Sequence, residues 1–246
     1  MKRLAVFAWI ESKLYMRSFY SPFFALAFPV MLLLLFGSIW GNAQDEASGF
    51  SIIDLSTAAF TGIVLAVNGL MNFPLNLAVY RERKVLKRLK ATPASPGLLL
   101  VAHILVNVVM TAVGVILLTA VGVLGYGAVL PADIGRLVLA LAISLAAMLS
   151  IGLLIGSLIA SEKGASVVAN IIYFPMIFLS GATLPIQMFP DGLKTASNVL
   201  PLTHGVNMIR GVWLGGTLSD FGTEMLILGA IAVVFTAVSV VAFRWE

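Results

Sequence analysis

Six long apolar runs separated by short polar segments dominate the chain, at residues 22–40, 55–79, 98–124, 135–160, 165–184 and 224–243. Each is close to the roughly 20 residues that a helix needs to cross a bilayer core. The short alternating segments of a membrane β-barrel are absent. Continuous apolar runs of this length predict helices, because a helix satisfies its backbone polar groups within the segment even in lipid. Six crossings put both ends on one side, and the fold class expected is an all-α integral membrane protein forming one domain over residues 1–246.

Composition agrees with the pattern. Of 246 residues, 60% are hydrophobic and 11% charged, whereas soluble domains carry about 25% charge. Too few polar side chains exist to cover a water-facing surface, which excludes a soluble enzyme or a disordered tail. The zero cysteine count excludes a disulfide scaffold and thiolate metal sites. Charge then orients the spans. With the N-terminus inside, Lys2, Arg3, Lys13, Arg17, Arg81, Arg83, Lys84, Lys87, Arg88, Lys90, Lys163 and Arg244 fall on the inner side. Only Arg136, Lys194 and Arg210 fall outside, with the acids Asp45, Glu46, Asp54, Asp133, Asp191, Asp220 and Glu224. This is the asymmetry of the positive-inside rule. It predicts a multi-pass cell-membrane protein with both termini cytoplasmic and Gln44 and Asp191 outside.

Residues 1–21 are interrupted by Glu11, Lys13 and Arg17, which break the apolar core a cleavable signal peptide needs. Lys2, Arg3, Lys13 and Arg17 share about a third of a helical wheel, with Phe7, Leu14, Tyr15 and Phe19 elsewhere. The segment reads as an amphipathic helix on the inner membrane surface, basic residues toward anionic headgroups, or as a basic flank that orients the first span. Residues 80–93 carry another basic cluster. A short helix there would place Val85, Leu86 and Leu89 on one apolar edge, with Pro93 and Pro96 ending it; the alternative is a solvated basic loop. In the second span Thr57, Thr61, Asn68, Asn72 and Asn76 fall within about 100° of arc. Amides need partners in hydrocarbon, so this stripe lines a pathway or packs helices. His103, Asn107 and Thr111 form a similar row on the third span. Residues 184–223 are too apolar for a solvated loop and too broken by Pro185, Pro190 and Pro201 for a span. They predict short outer helices dipping part-way into the membrane.

Several of these segments resemble the type-2 ATP-binding-cassette exporter permeases, in particular the branch exporting drugs, antibiotics and lipid-like molecules. Arg81-Glu82-Arg83 directly after a span, then Leu89 and Thr92-Pro93, is similar to that family's cytoplasmic coupling helix, although Lys84-Val85 stand where the family usually has Gly-Thr. PFFALAFPVMLLLLFG from Pro22 resembles its first span. FLSGATLP from Phe178, including Ser180 and Gly181, followed by Met188-Phe189-Pro190, resembles its fifth-span exit. LPLTH from Leu200 and MIRG, with Arg210, resemble its re-entrant segment.

The resemblance implies the layout 1–21 interface helix, 22–79 spans one and two, 80–93 coupling helix, 98–184 spans three to five, 185–223 outer re-entrant segment, and 224–246 last span and tail. It implies a permease subunit that moves hydrophobic or amphipathic cargo outward. Two copies of a separate ATPase would bind ATP and magnesium and dock on Arg81, Glu82, Arg83, Val85, Leu86 and Leu89. A second permease chain, expected to be identical, would complete a pathway lined partly by the first, second and fifth spans. Export of a polysaccharide or glycan precursor by the same architecture, or an ion-coupled carrier, are the alternatives. The chain itself lacks G-x-x-x-x-G-K-[ST], a Gly-x-Ser-x-Gly elbow and a metal-ligand cluster around His103 or His204. No catalytic residue, cofactor or nucleic-acid partner is therefore expected. The spans lack mid-membrane acids and bases, so energy is expected from outside the polypeptide.

Overall fold

A computed structural model describes residues 2–41, 43–45, 48–90, 96–184 and 186–243. Among them six helices are long and apolar enough to cross a membrane: Tyr20–Trp40, Ile52–Glu82, Pro96–Tyr126, Ile134–Leu158, Glu162–Leu179 and Leu218–Ala242. All six expected runs are present, with altered ends. The second span continues through Tyr80, Arg81 and Glu82, which the sequence assigns to the following helix. The fifth stops at Leu179 rather than 184, because Gly181 turns the chain at φ +78°.

The second span is the axis of the molecule: 89% of its apolar window is buried, against 22% for the first span, 28% for the fifth and 11% for the last. Lipid offers no hydrophobic drive between helices, so close backbone approach must supply the packing. Small residues permit it. A Cβ on Gly152 would collide with the Gly69 carbonyl oxygen, and one on Gly114 would lie 3.1 Å from the Ala25 carbonyl.

The first and second spans each widen into a π-turn just before a proline, whereas the fifth carries Pro175 inside a regular helix. Phe23–Ala27 precedes Pro29, and Val67–Asn72 precedes Pro74. Proline lacks an N–H and clashes with the carbonyl four residues back, which is Ala25 in one case and Leu70 in the other. The π-turn takes up that misfit without breaking the span.

The N-terminal helix Lys2–Arg17 packs against the third span. Its buried side is not the one its apolar residues suggest. Glu11 and Tyr15 are 4% exposed, while Val6, Trp9, Ile10, Leu14, Met16 and Phe19 face outward with Arg3, Lys13 and Arg17. An outward face mixing apolar and basic side chains suits a helix lying in headgroups.

Lys84, at φ +54°, reverses the chain between the second span and the short helix Val85–Lys90. Pro93, Thr92 and Arg244 lie outside the described residues, as do Glu46 and Pro185. Beyond the fifth span two short helices follow, Asp191–Ser197 behind Pro190 and Pro201–Trp213 opened by Pro201 in its first turn. The second of these lies beside Gly62, where an added Cβ would meet the Val206 side chain at 2.5 Å. Gly62 is about ten residues into the second span, or roughly 15 Å along it. The helix therefore descends alongside the span, as a re-entrant element does, and buries Val206, Ile209 and Trp213.

Candidate functional site

The first span carries an aromatic residue at nearly every fourth position: Tyr20, Phe24, Phe28, Phe36 and Trp40, with Leu32 completing the row. Four residues overshoot one α-helical turn by about 40°, so such a row drifts around a regular helix. The π-turn at Phe23–Ala27 takes up part of that drift. Neighbouring rings touch, with centroids 4.6 Å apart for Tyr20–Phe24, 5.8 Å for Phe24–Phe28 and 4.8 Å for Phe36–Trp40. The fifth span presents its own row of the same spacing, Ser166, Asn170, Phe174 and Phe178.

These two rows form the walls of a groove whose floor is Phe60, Val67 and Met71 of the second span. Phe60 meets Phe36 edge-on at 5.2 Å. The cavity measures about 640 Å³, and Phe174 and Phe178 are each half exposed at its rim. Its polar side chains are few. Asn170 spends its amide on the Ser166 carbonyl at 2.7 Å. A second cavity of about 640 Å³ continues from it through the shared Phe36, Phe60 and Leu184, and there Asp45 and Arg210 join the lining. Arg210 donates through Nη2 to the Gly181 carbonyl at 2.9 Å, tying the re-entrant helix to the fifth-span exit. Burial lowers the Arg210 pKa from its ordinary value, opposed by the Asp45 carboxylate. Ser180, buried beside it, accepts from the Ala182 N–H.

The second-span stripe lies off this groove. Thr57 and Thr61 donate to the carbonyls of Ile53 and Thr57, at 2.7 and 3.1 Å, so their hydroxyls are satisfied within their own helix. Asn68 and Asn72 are buried against the N-terminal helix: Tyr15 Oη donates to Asn68 Oδ1 at 2.8 Å and accepts from Asn72 Nδ2 at 3.2 Å. Asn76 Nδ2 bonds the Asn72 carbonyl at 2.9 Å. Of the two roles open to these amides, helix packing is the one visible within the chain.

The Arg81–Leu89 residues divide into two groups. Arg81 Nη1 donates to the Gly156 and Ser157 carbonyls, at 2.8 and 2.5 Å, closing the end of the fourth span. Glu82 accepts the Glu162 N–H at 2.6 Å, at the start of the fifth. Both charges are thus engaged inside the chain, joining the second span to the turn between the fourth and fifth. Leu86 is likewise buried at 2%, in a pocket with Leu77, Tyr80, Leu99 and His103. Val85 and Leu89 are half-buried, and Arg83, Lys87 and Arg88 are exposed.

One cluster joins His103, of the polar row on the third span, to Glu11 and Tyr80, which the sequence does not connect with it. The Glu11 carboxylate, on the N-terminal helix, accepts from Tyr80 Oη at 2.5 and 2.7 Å and pairs with His103 Nδ1 at 2.9 Å. His103 stacks on Phe73 at 5.0 Å. Glu11 and His103 are 92 residues apart, and no local spacing links them. The aromatic row, by contrast, stands openly in the sequence at intervals of four.

Known proteins give this architecture a setting. The profile of the ABC-2 type transporter family matches residues 3–214. The inner membrane transport permease YhhJ of Escherichia coli (strain K12) is 26% identical over 201 residues, covering 78% of this chain and 53% of that protein. Nodulation protein J of Rhizobium meliloti (strain 1021) is 35% identical over 65 residues, 26% of this chain and 25% of its own. ABC transporter G family member 20 of Dictyostelium discoideum is 29% identical over 132 residues, 53% of this chain and 18% of that protein. The matched regions thus span about half the length of YhhJ and less of the others. With a single family profile running from the N-terminal helix through the re-entrant helix, this six-span protein belongs to the ABC-2 type transporter family.

Proposed function

We propose that the chain is the membrane-spanning permease subunit of an ATP-driven exporter of hydrophobic or amphipathic molecules, energised by a separate ATPase. The observation that carries this reading is the open aromatic groove between the first and fifth spans. Its inner half is apolar apart from Ser166, Asn170, Thr183 and the Tyr20 and Tyr173 hydroxyls, so it suits an apolar or amphipathic cargo better than a fully polar glycan. Two chains facing each other across their grooves would enclose one route. The basic helix Val85–Lys90 would face the cytoplasm, with both termini, by the positive-inside rule. With Arg83 just before it, it supports docking of an ATPase through exposed Arg83, Lys87 and Arg88 and half-buried Val85 and Leu89.

Force applied there has a short way to travel. Arg81 and Glu82 join the same helix end to the fourth and fifth spans, so a push on Val85–Lys90 moves the groove wall as a packed unit. The test is co-purification with a co-expressed ATPase, followed by ATP hydrolysis across a panel of amphiphiles. Stimulation is expected in the wild type and is lost in Phe24→Ser/Phe174→Ser while the complex still assembles. Full stimulation in that variant refutes the groove as the route.

A further inference from the structure

We infer that Arg210 marks the headgroup end of the groove and binds the anionic group, phosphate or carboxylate, of an amphipathic ligand whose apolar body lies along the aromatic row. The assignment rests on the reading of that groove as the cargo route. Arg210 lines the cavity at the end of the groove opposite Tyr20. A guanidinium stays charged and offers five N–H donors. Here one nitrogen, Nη2, serves Gly181, while Nε is buried with no hydrogen-bond partner. No carboxylate among the described residues forms an ion pair with Arg210.

Asp45, the one acid among the described residues lining the same cavity, spends one carboxylate oxygen on Ser48. Its Oδ2 accepts the Ser48 N–H at 2.9 Å and the Ser48 hydroxyl at 2.7 Å. A partly buried guanidinium that forms no ion pair is only incompletely compensated by the Asp45 carboxylate nearby, and a planar fork with donors to spare is the group that recognises phosphate and carboxylate. Phe36, Trp40, Phe60 and Leu184 give the same cavity an apolar wall continuous with the ladder, with Ser56, Thr183 and Gln187 as its further polar lining. From Tyr20 to Trp40 that ladder runs roughly 30 Å at 1.5 Å per residue, long enough to lay out an extended tail.

The experiment compares a matched pair, oleoyl lysophosphatidate and monoolein, by equilibrium binding to the full chain in nonionic detergent. The wild type is expected to favour the anion by about tenfold or more. Arg210→Gln should bring the ratio of anion to monoolein binding near one. Asp45→Asn, which removes the opposing charge, should raise the ratio. Equal binding of the two ligands by the wild type overturns the assignment, and so does an undiminished preference in Arg210→Gln. If Arg210→Gln does not fold, an unshifted ratio in Asp45→Asn overturns it instead. Hydrolysis by the complex with its ATPase then separates the sources. Lysophosphatidate that binds with preference and stimulates hydrolysis is cargo. Preference without stimulation identifies a resident lipid at the same anion site, and for this class of molecule tells against the exporter reading rather than the site.

Discussion

Replacing Glu11 by alanine tests whether the N-terminal helix is held by its one buried carboxylate. Glu11 is 4% exposed and takes hydrogen bonds from Tyr80 and His103, which belong to two different spans. Truncation removes the acceptor and leaves the Tyr80 hydroxyl and Nδ1 of the His103 ring, 3% exposed, without that partner, while His103 Nε2 keeps its contact to the Asn107 amide. Each bond to a charged group is worth about 1.5–3 kcal/mol, and removing one member of a buried pair costs about 3–5 kcal/mol. The Tyr15 contacts to Asn68 and Asn72 survive, so the helix loosens without the spans unfolding. A loss of 3–5 kcal/mol corresponds to a rise in the open population of about 10²-fold to 4 × 10³-fold, at about 1.4 kcal/mol per decade. Hydrogen exchange of the Lys2–Arg17 amides in nanodiscs reads that population directly. The expected result is faster exchange by that factor in Glu11→Ala, with amides of the second span unchanged. Lys13→Ala, at an exposed position on the same helix, should change exchange less than about threefold, within the ±0.5 kcal/mol typical of surface sites. Equal protection in Glu11→Ala and wild type would refute the reasoning.

Two further substitutions probe backbone geometry. Lys84 holds a left-handed conformation at φ +54°, which costs a non-glycine residue about 1–2 kcal/mol. Lys84→Gly is expected to raise the unfolding midpoint, with a net gain of about 0.5–1 kcal/mol after the added freedom of the unfolded chain, and Lys84→Ala is expected not to. Gly152→Leu would drive a side chain into the Gly69 carbonyl at the contact between the second and fourth spans. Overpacking of this kind costs about 1–3 kcal/mol or more, read as a lowered midpoint in detergent, whereas Gly125→Leu, where a Cβ meets nothing within 4 Å, serves as the neutral comparison.

Length and hydropathy suffice to locate the six spans, because the cost of an unsatisfied backbone group in lipid forces any long apolar run into a helix. Proline placement likewise made the re-entrant segment legible: Pro190 and Pro201 each stand at the start of a short helix. What each span faces was not legible. Hydropathy scores a phenylalanine on lipid and one lining a groove identically, so the ladder from Tyr20 to Trp40 passed as ordinary span composition. The amides at Asn68 and Asn72 were visible as a stripe, yet only the folded chain shows them meeting Tyr15. Arg81, Glu82 and Leu86 looked like residues free to meet a partner and are instead engaged inside the chain. Glu11 and His103 pair across 92 residues. Local pattern determines which segments enter the membrane, because that depends on summed transfer energies along the chain. Which side chains then find each other depends on the packing of glycine-lined helices, and only the tertiary structure decides that.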